Sequence, residues 1–152
     1  VVRQSMLQDH IIQLDEHLKF IANLKNNLKH FCWLVKKDND LVGVITLHDL
    51  DFQNSHSYFG LYANPEYTQL NKKTVGGGFT LYKLGLKVAF DIFKLHSIQG
   101  ITIFDNPILY LQKKIGFVEI GKFKDYVFKG GNWKDVIVTE FININSNGQS
   151  SN

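Results

Sequence analysis

Cysteine, methionine and proline are nearly missing from this 152-residue chain, which has one Cys, one Met and two Pro. The single cysteine, Cys32, excludes an intrachain disulfide and any cysteine-rich metal centre, which fits a reducing, cytoplasmic setting. It lies in the apolar run Phe31-Cys32-Trp33-Leu34-Val35 and so reads as a buried core thiol. An excess of one charge is also missing. Seventeen Lys and Arg against 14 Asp and Glu leave a net charge of +3, without a basic block, which argues against a nucleic-acid partner. No apolar run approaches the ~18 residues of a membrane span, and no signal-peptide pattern opens the sequence. The six histidines (His10, His17, His30, His48, His56 and His96) lack a ligand spacing such as H-x-x-x-H, so no metal site is expected.

What the chain does have is aromatic bulk. Twelve Phe, six Tyr and two Trp in a 44% hydrophobic sequence supply the core of one domain, expected over residues 1–142. The Asn/Ser/Gly/Gln-rich stretch 143–152 reads as a disordered tail. Helix signals come first: a short helix over Val1–Leu7, then Asp15 as N-cap for Glu16–Leu24. Phe31–Lys36, Leu41–Leu47 and Ser57–Ala63 read as an antiparallel meander, broken by Asn64-Pro65. The main helix spans Phe79–Leu95. Its apolar residues fall on two faces, Phe79/Tyr82/Leu86/Ala89/Phe90/Phe93 and Leu81/Leu84/Val88/Ile92/Leu95, so it is expected to lie deep. A β-rich run over Ile98–Phe104 precedes a helix over Ile108–Ile115 that Gly116 caps. Phe117–Phe128 and Trp133–Phe141 then flank the turn Gly130-Gly131-Asn132. The order αα-βββ-α-β-α-ββ describes a single α/β (α+β) domain.

The stretch Lys73-Thr74-Val75-Gly76-Gly77-Gly78 sets three glycines directly before the main helix. Unpaired N–H groups and the positive end of the macrodipole make a helix N-terminus attractive to phosphate, and glycine lets the backbone come close. The plainer alternative is a flexible loop that ends in a glycine helix start. A P-loop is excluded because Phe79 follows where Gly-Lys-Ser/Thr is needed, and a dinucleotide fingerprint because Leu81 stands where the third glycine is needed.

Together these pieces resemble the GNAT acyltransferases. Lys73 to Gly78 fits the pattern [R/Q/K]-x-x-G-x-[G/A], a strand ending in Gly60-Leu61-Tyr62-Ala63 lies upstream, and Asp105-Asn106 opens a helix closed by Lys114-Ile115-Gly116-Phe117. The likeness extends from about Val1 to Phe141. Within the family, "MLQDHIIQLDEHLKFIANL", "LVGVITLHDLD", "YFGLYANP" and "VAFDIFKLHSI" are most similar to the acetyltransferases of pseudaminic acid biosynthesis. Protein N-terminal (RimJ/RimL-type) and polyamine acetyltransferases share parts of the pattern.

The resemblance implies a mixed, mostly antiparallel sheet flanked by helices, with the family's first strand upstream of Val1. It implies acetyl-CoA as co-substrate and a small-molecule amine as acceptor, here a UDP-linked dideoxy aminosugar; a homodimer stays open. Val75, Gly76, Gly77 and Gly78 would take the pyrophosphate, with Lys73 and Lys114 adding charge. Leu61, Tyr62 and Ala63 would pair with the pantetheine, and Asn106 would contact it. Many members carry a tyrosine four residues before the G-F glycine, but here that position is Gln112, which cannot supply a proton. Tyr110, two residues earlier, would face another side of the helix, so slower or water-assisted chemistry is expected. His48 and Glu66 are candidate bases, and Arg3, Met6, His17 and Asp49 candidate acceptor-binding residues. A non-catalytic acyl-CoA-binding module is the alternative outside enzymology.

Overall fold

The computed structural model describes Leu7, residues 12–70 and residues 77–144. Arg3, Met6, Lys73, Val75, Gly76 and most of the helix expected over Val1–Leu7 lie outside the described residues. In chain order the elements are α1 (Leu14–Leu24), β1 (His30–Lys37), β2 (Asp40–Asp51), β3 (His56–Ala63), α2 (Pro65–Leu70), α3 (Gly77–Lys87), β4 (Ser97–Ile103), α4 (Ile108–Ile115), β5 (Val118–Lys129) and β6 (Asn132–Ile142). A π-helical turn, Val88–Ile92, continues α3. The six strands form one mixed sheet in the order β1-β2-β3-β4-β6-β5. All neighbours are antiparallel except β3 and β4.

Local chemistry explains most boundaries. The last hairpin turns at Gly130 and Gly131, both with positive φ (57° and 80°), as a tight hairpin requires. Gly116 ends α4 at φ 115°, and its N–H and that of Phe117 both donate to the Gln112 carbonyl, satisfying the helix's last acceptors. The N-cap of α1 lies two residues before the expected Asp15. Gln13 holds the extended capping conformation and its carbonyl accepts from the His17 N–H at 3.0 Å. Asp15 sits instead in the first turn, where its charge complements the helix dipole. Helix α2 is absent from the sequence reading. Its signals are present nonetheless: the Asn64 Oδ1 accepts from the Glu66 N–H at 3.1 Å, and Pro65 occupies the first helical position.

Helix α3 packs on β2 and β3, and the core gathers there: Val42, Ile45, Leu47, Phe59, Leu81, Tyr82, Ala89 and Ile98 are all buried. The expectation of a helix buried on two sides is corrected. Of the second face Leu81 and Leu95 are buried, but Leu84 and Ile92 are exposed, because the helix covers the sheet with one side and meets water with the other. Nor does it run unbroken to Leu95. In the widened turn the Phe93 N–H donates to the Val88 carbonyl, five residues back. There Phe90 meets Phe141 of β6, while Phe93 meets Phe31 and Trp33 of β1. Cys32 is exposed rather than buried, since strand alternation turns it away from the face where Phe31, Trp33 and Val35 pack. Beyond β6 the Asn143 N–H donates to the His96 carbonyl at 2.8 Å. Among the described residues no helix is long and apolar enough to cross a membrane.

Candidate active site

Strands β3 and β4 run parallel but stay together for only three residue pairs, His56–Ser97, Ser57–Ile98 and Tyr58–Gln99. Beyond Tyr58, β3 continues to Ala63 with β2 on one side and no ladder partner from β4 on the other. The sheet therefore splits, leaving a cleft of about 530 Å³. Leu61, Tyr62 and Ala63 line one wall; Ile101 and Thr102 line the other; Gly78 of α3 and Asn106 before α4 close the end. The backbone left without a sheet partner by the split is what an extended, amide-bearing ligand can pair with.

Small residues shape this space. A Cβ on Gly78 would stand 3.1 Å from the Leu111 side chain, so glycine sets the separation between the start of α3 and helix α4. On β4, a Cβ on Gly100 would lie 2.9 Å from the Gln112 Nε2 and 2.8 Å from the Thr139 Oγ1. The Gln112 amide fills that gap and is only 3% exposed. The Thr139 hydroxyl donates to its Oε1 at 3.2 Å. Tyr82 of α3, 2% exposed, also lines the cleft, and burial pushes its phenol well above the usual range.

A second line of side chains crosses the sheet toward the cleft. Phe20 of α1 meets the edge of the His30 ring, His30 lies 5.7 Å from His48, and His48 stacks on Tyr58 at 5.6 Å. His48 and Tyr58 are cleft residues. The Asp49 carboxylate is 3.0 Å from the His48 Nδ1, a pairing that suits a proton on that nitrogen and an open Nε2. Desolvation lowers the His30 pKa first, and the neighbouring His48 lowers it further.

A family model described as "Acetyltransferase (GNAT) domain" matches residues 2–138. The chain belongs to the GNAT acetyltransferase family. This GNAT domain is 30% identical over 128 residues to acetyltransferase PseH of Campylobacter jejuni serotype O:2, covering 84% of this chain and 75% of the relative. A PseH from serotype O:23/36 of the same species is 29% identical over 116 residues, covering 76% and 68%. Among solved structures, the spermidine N-acetyltransferase of Vibrio cholerae in complex with CoA and spermine superimposes with a TM-score of 0.85 at 19% identity, covering 97% of this chain and 85% of that one. The GNAT domain is thus an acetyl-CoA-dependent N-acetyltransferase. The split strands, and the glycine that lets α3 approach α4, fit an acyl-CoA.

The structure brings His48, Leu61, Tyr62, Ala63, Gly78, Asn106 and Gln112 to the cleft. Gly77 is buried as the first residue of α3. Asn106 accepts from the Ile108 N–H through Oδ1 at 3.0 Å, so it also caps α4. Asp49 touches the site through His48. Glu66, Tyr110, Lys114 and His17 are not among the lining residues. Glu66 is exposed in the first turn of α2. Tyr110 is 69% exposed, with the Lys114 ammonium over its ring, and His17 stacks on Phe20 along α1. The sequence reading passed over Tyr58, Thr102 and Tyr82 as site residues. Tyr82 looked like one more apolar position of a helix face, and its neighbours become visible only once β3 and β4 are known to run side by side.

Proposed function

We propose that this N-acetyltransferase acetylates the 4-amino group of a UDP-linked dideoxy aminosugar. The observation that carries the reading is the make-up of the cleft wall. His48, Tyr58 and Tyr62 line it, and no Asp or Glu is among the described lining residues. A polyamine is a flexible polycation that needs carboxylates along its path, whereas a sugar nucleotide offers rings to stack and phosphates that carboxylates would repel. The 30% identity to PseH supports the same class.

In this reading the N–H groups at the start of α3, including Gly77 and Gly78, receive the pyrophosphate together with Lys73, Val75 and Gly76. The open backbone of Leu61–Ala63 pairs with the pantetheine, Asn106 contacts it, and Lys114 reaches a phosphate. One N–H at the end of β3 polarises the thioester carbonyl, an effect worth ~3–4 kcal/mol in other acyl-transfer enzymes. His48, oriented by Asp49, takes the proton of the acceptor amine. A cytoplasmic enzyme fits the lone thiol of Cys32.

The test is a free-thiol release assay over 4-amino-4,6-dideoxy UDP-sugars, spermidine and peptide N-termini. Turnover is expected with the sugar nucleotide. Preference for spermidine would transfer the site to polyamines. Binding of acetyl-CoA without turnover on any amine would make the domain an acyl-CoA-binding module.

A further inference from the structure

We propose that Tyr82, on α3, holds the departing sulfur of the acyl donor by a hydrogen bond, in the place left without a tyrosine on α4 by Gln112. The inference rests on the donor occupying the cleft between β3 and β4. Three observations support it.

The phenol is at the site and is fixed there. Its ring packs against Phe59 at 5.4 Å and Phe117 at 5.6 Å, and the residue lines the same cleft as Gln112. Gln112 in turn is held from behind, with Thr139 donating to Oε1 and Gly100 leaving room for Nε2. An amide anchored through its oxygen offers its NH₂ outward. With Oε1 held by Thr139, the NH₂ is the end of the amide that pairs with the Tyr82 phenol, and an amide NH₂ can only donate. The Tyr82 hydrogen is then left for the cleft. Burial outweighs that bond and keeps the phenol protonated, so Tyr82 acts as a standing donor and not as a proton source.

The reaction balances without a proton from tyrosine. The amine nitrogen forms a bond to the thioester carbonyl carbon, the carbon–sulfur bond breaks, and its electron pair stays on sulfur. The proton lost by nitrogen goes to His48. Tyr82 hydrogen-bonds the thiolate as it forms and keeps its own proton. Sulfur then takes a proton from water while the imidazolium returns one, so none is gained or lost overall. A free thiol titrates near ~8.5, so a hydrogen-bonded thiolate is a competent leaving group.

The experiment compares binding of CoA with desulfo-CoA by calorimetry, above the pH at which the CoA thiol ionises. The wild-type protein is expected to prefer CoA by about tenfold, the usual worth of a hydrogen bond to a charged atom. Tyr82→Phe is expected to remove that preference while binding desulfo-CoA normally, and to lower kcat with KM for acetyl-CoA little changed. An unchanged preference in Tyr82→Phe overturns the assignment. Failure of the wild type to bind either ligand would overturn the cleft itself, a separate result. Should Tyr82→Phe not fold, 3-fluorotyrosine placed at position 82 gives the same answer. Its fluorine resonance is expected to shift with CoA and not with desulfo-CoA, and equal shifts would refute the role.

Discussion

At the scale of single residues, the proposed base and the group proposed to orient it sit in different surroundings. His48 lines the cleft, whereas the Asp49 side chain is 77% exposed and its bond to Nδ1 faces solvent. A carboxylate in water stabilises an imidazolium only weakly, so the two should not be equivalent. His48→Gln is expected to lower kcat/KM by ~10²–10⁴-fold, the range of a lost general base. Asp49→Asn is expected to lose much less, about tenfold or below, because its amide oxygen can still accept from Nδ1. Steady-state rates across pH 6–9 check this, and equal losses in both variants would show that Asp49 has another role. His48 was legible as a candidate from its chemistry alone. Glu66 and Tyr110 were named on the same grounds, yet helix geometry carries both to exposed surface. Residue type tells which groups could react, while the direction of a side chain depends on elements far away in sequence.

At the scale of elements, strands and turns follow from local pattern, and the long-range pairing that makes the cleft does not. The β1–β2–β3 meander and the β5–β6 hairpin join neighbours in sequence through polar or glycine turns, so alternation was enough to find them. The parallel β3–β4 contact joins segments about forty residues apart, across α2 and α3, and only three residue pairs hold it. Nothing local encodes where such a pairing stops. Glycine is the exception, because it marks close approaches without naming the partner. Gly85 lies in the middle of α3, and a Cβ there would enter the Phe59 ring. Gly85→Ala is therefore expected to destabilise by about 1–3 kcal/mol despite alanine's better helix propensity, because overpacking outweighs the gain of ~1 kcal/mol or less. Phe59 packs on Tyr82, so the desulfo-CoA affinity should also fall. Chemical denaturation of the variant checks the sign, and a more stable protein would mean that Phe59 moves aside freely.

At the scale of the whole molecule, stability should fall in two stages as pH drops. The first stage belongs to His30. Its folded pKa lies below the ordinary 6.5, through burial first and the neighbouring His48 second. The unfolded chain thus binds a proton that the folded one resists, and stability declines as pH falls from about 6.5 toward the folded value. The second stage belongs to carboxylates that the fold holds below the ordinary 3.8: Asp135, through its bonds to Lys122 and the Asp125 N–H; Asp105, through Lys134; and Asp51, through its bonds to the Asn54 side chain and N–H. Their contribution is present above 3.8 and is lost as pH falls through their folded values. Both ion pairs, 2.6 Å long, tie the last hairpin to itself and to the loop before α4. Being partly open to solvent they contribute modestly, so the second stage should be shallow and should shrink in salt. His30→Phe keeps a ring between Phe20 and His48 while removing the titration. Thermal melts between about pH 2 and 7 are expected to show a flatter limb between pH 5 and 7 for His30→Phe than for the parent, with the stage below pH 4 unchanged. An identical slope in both proteins would place the acid sensitivity elsewhere, and loss of the lower stage in His30→Phe would show that the histidine row and the hairpin ion pairs unfold as one unit.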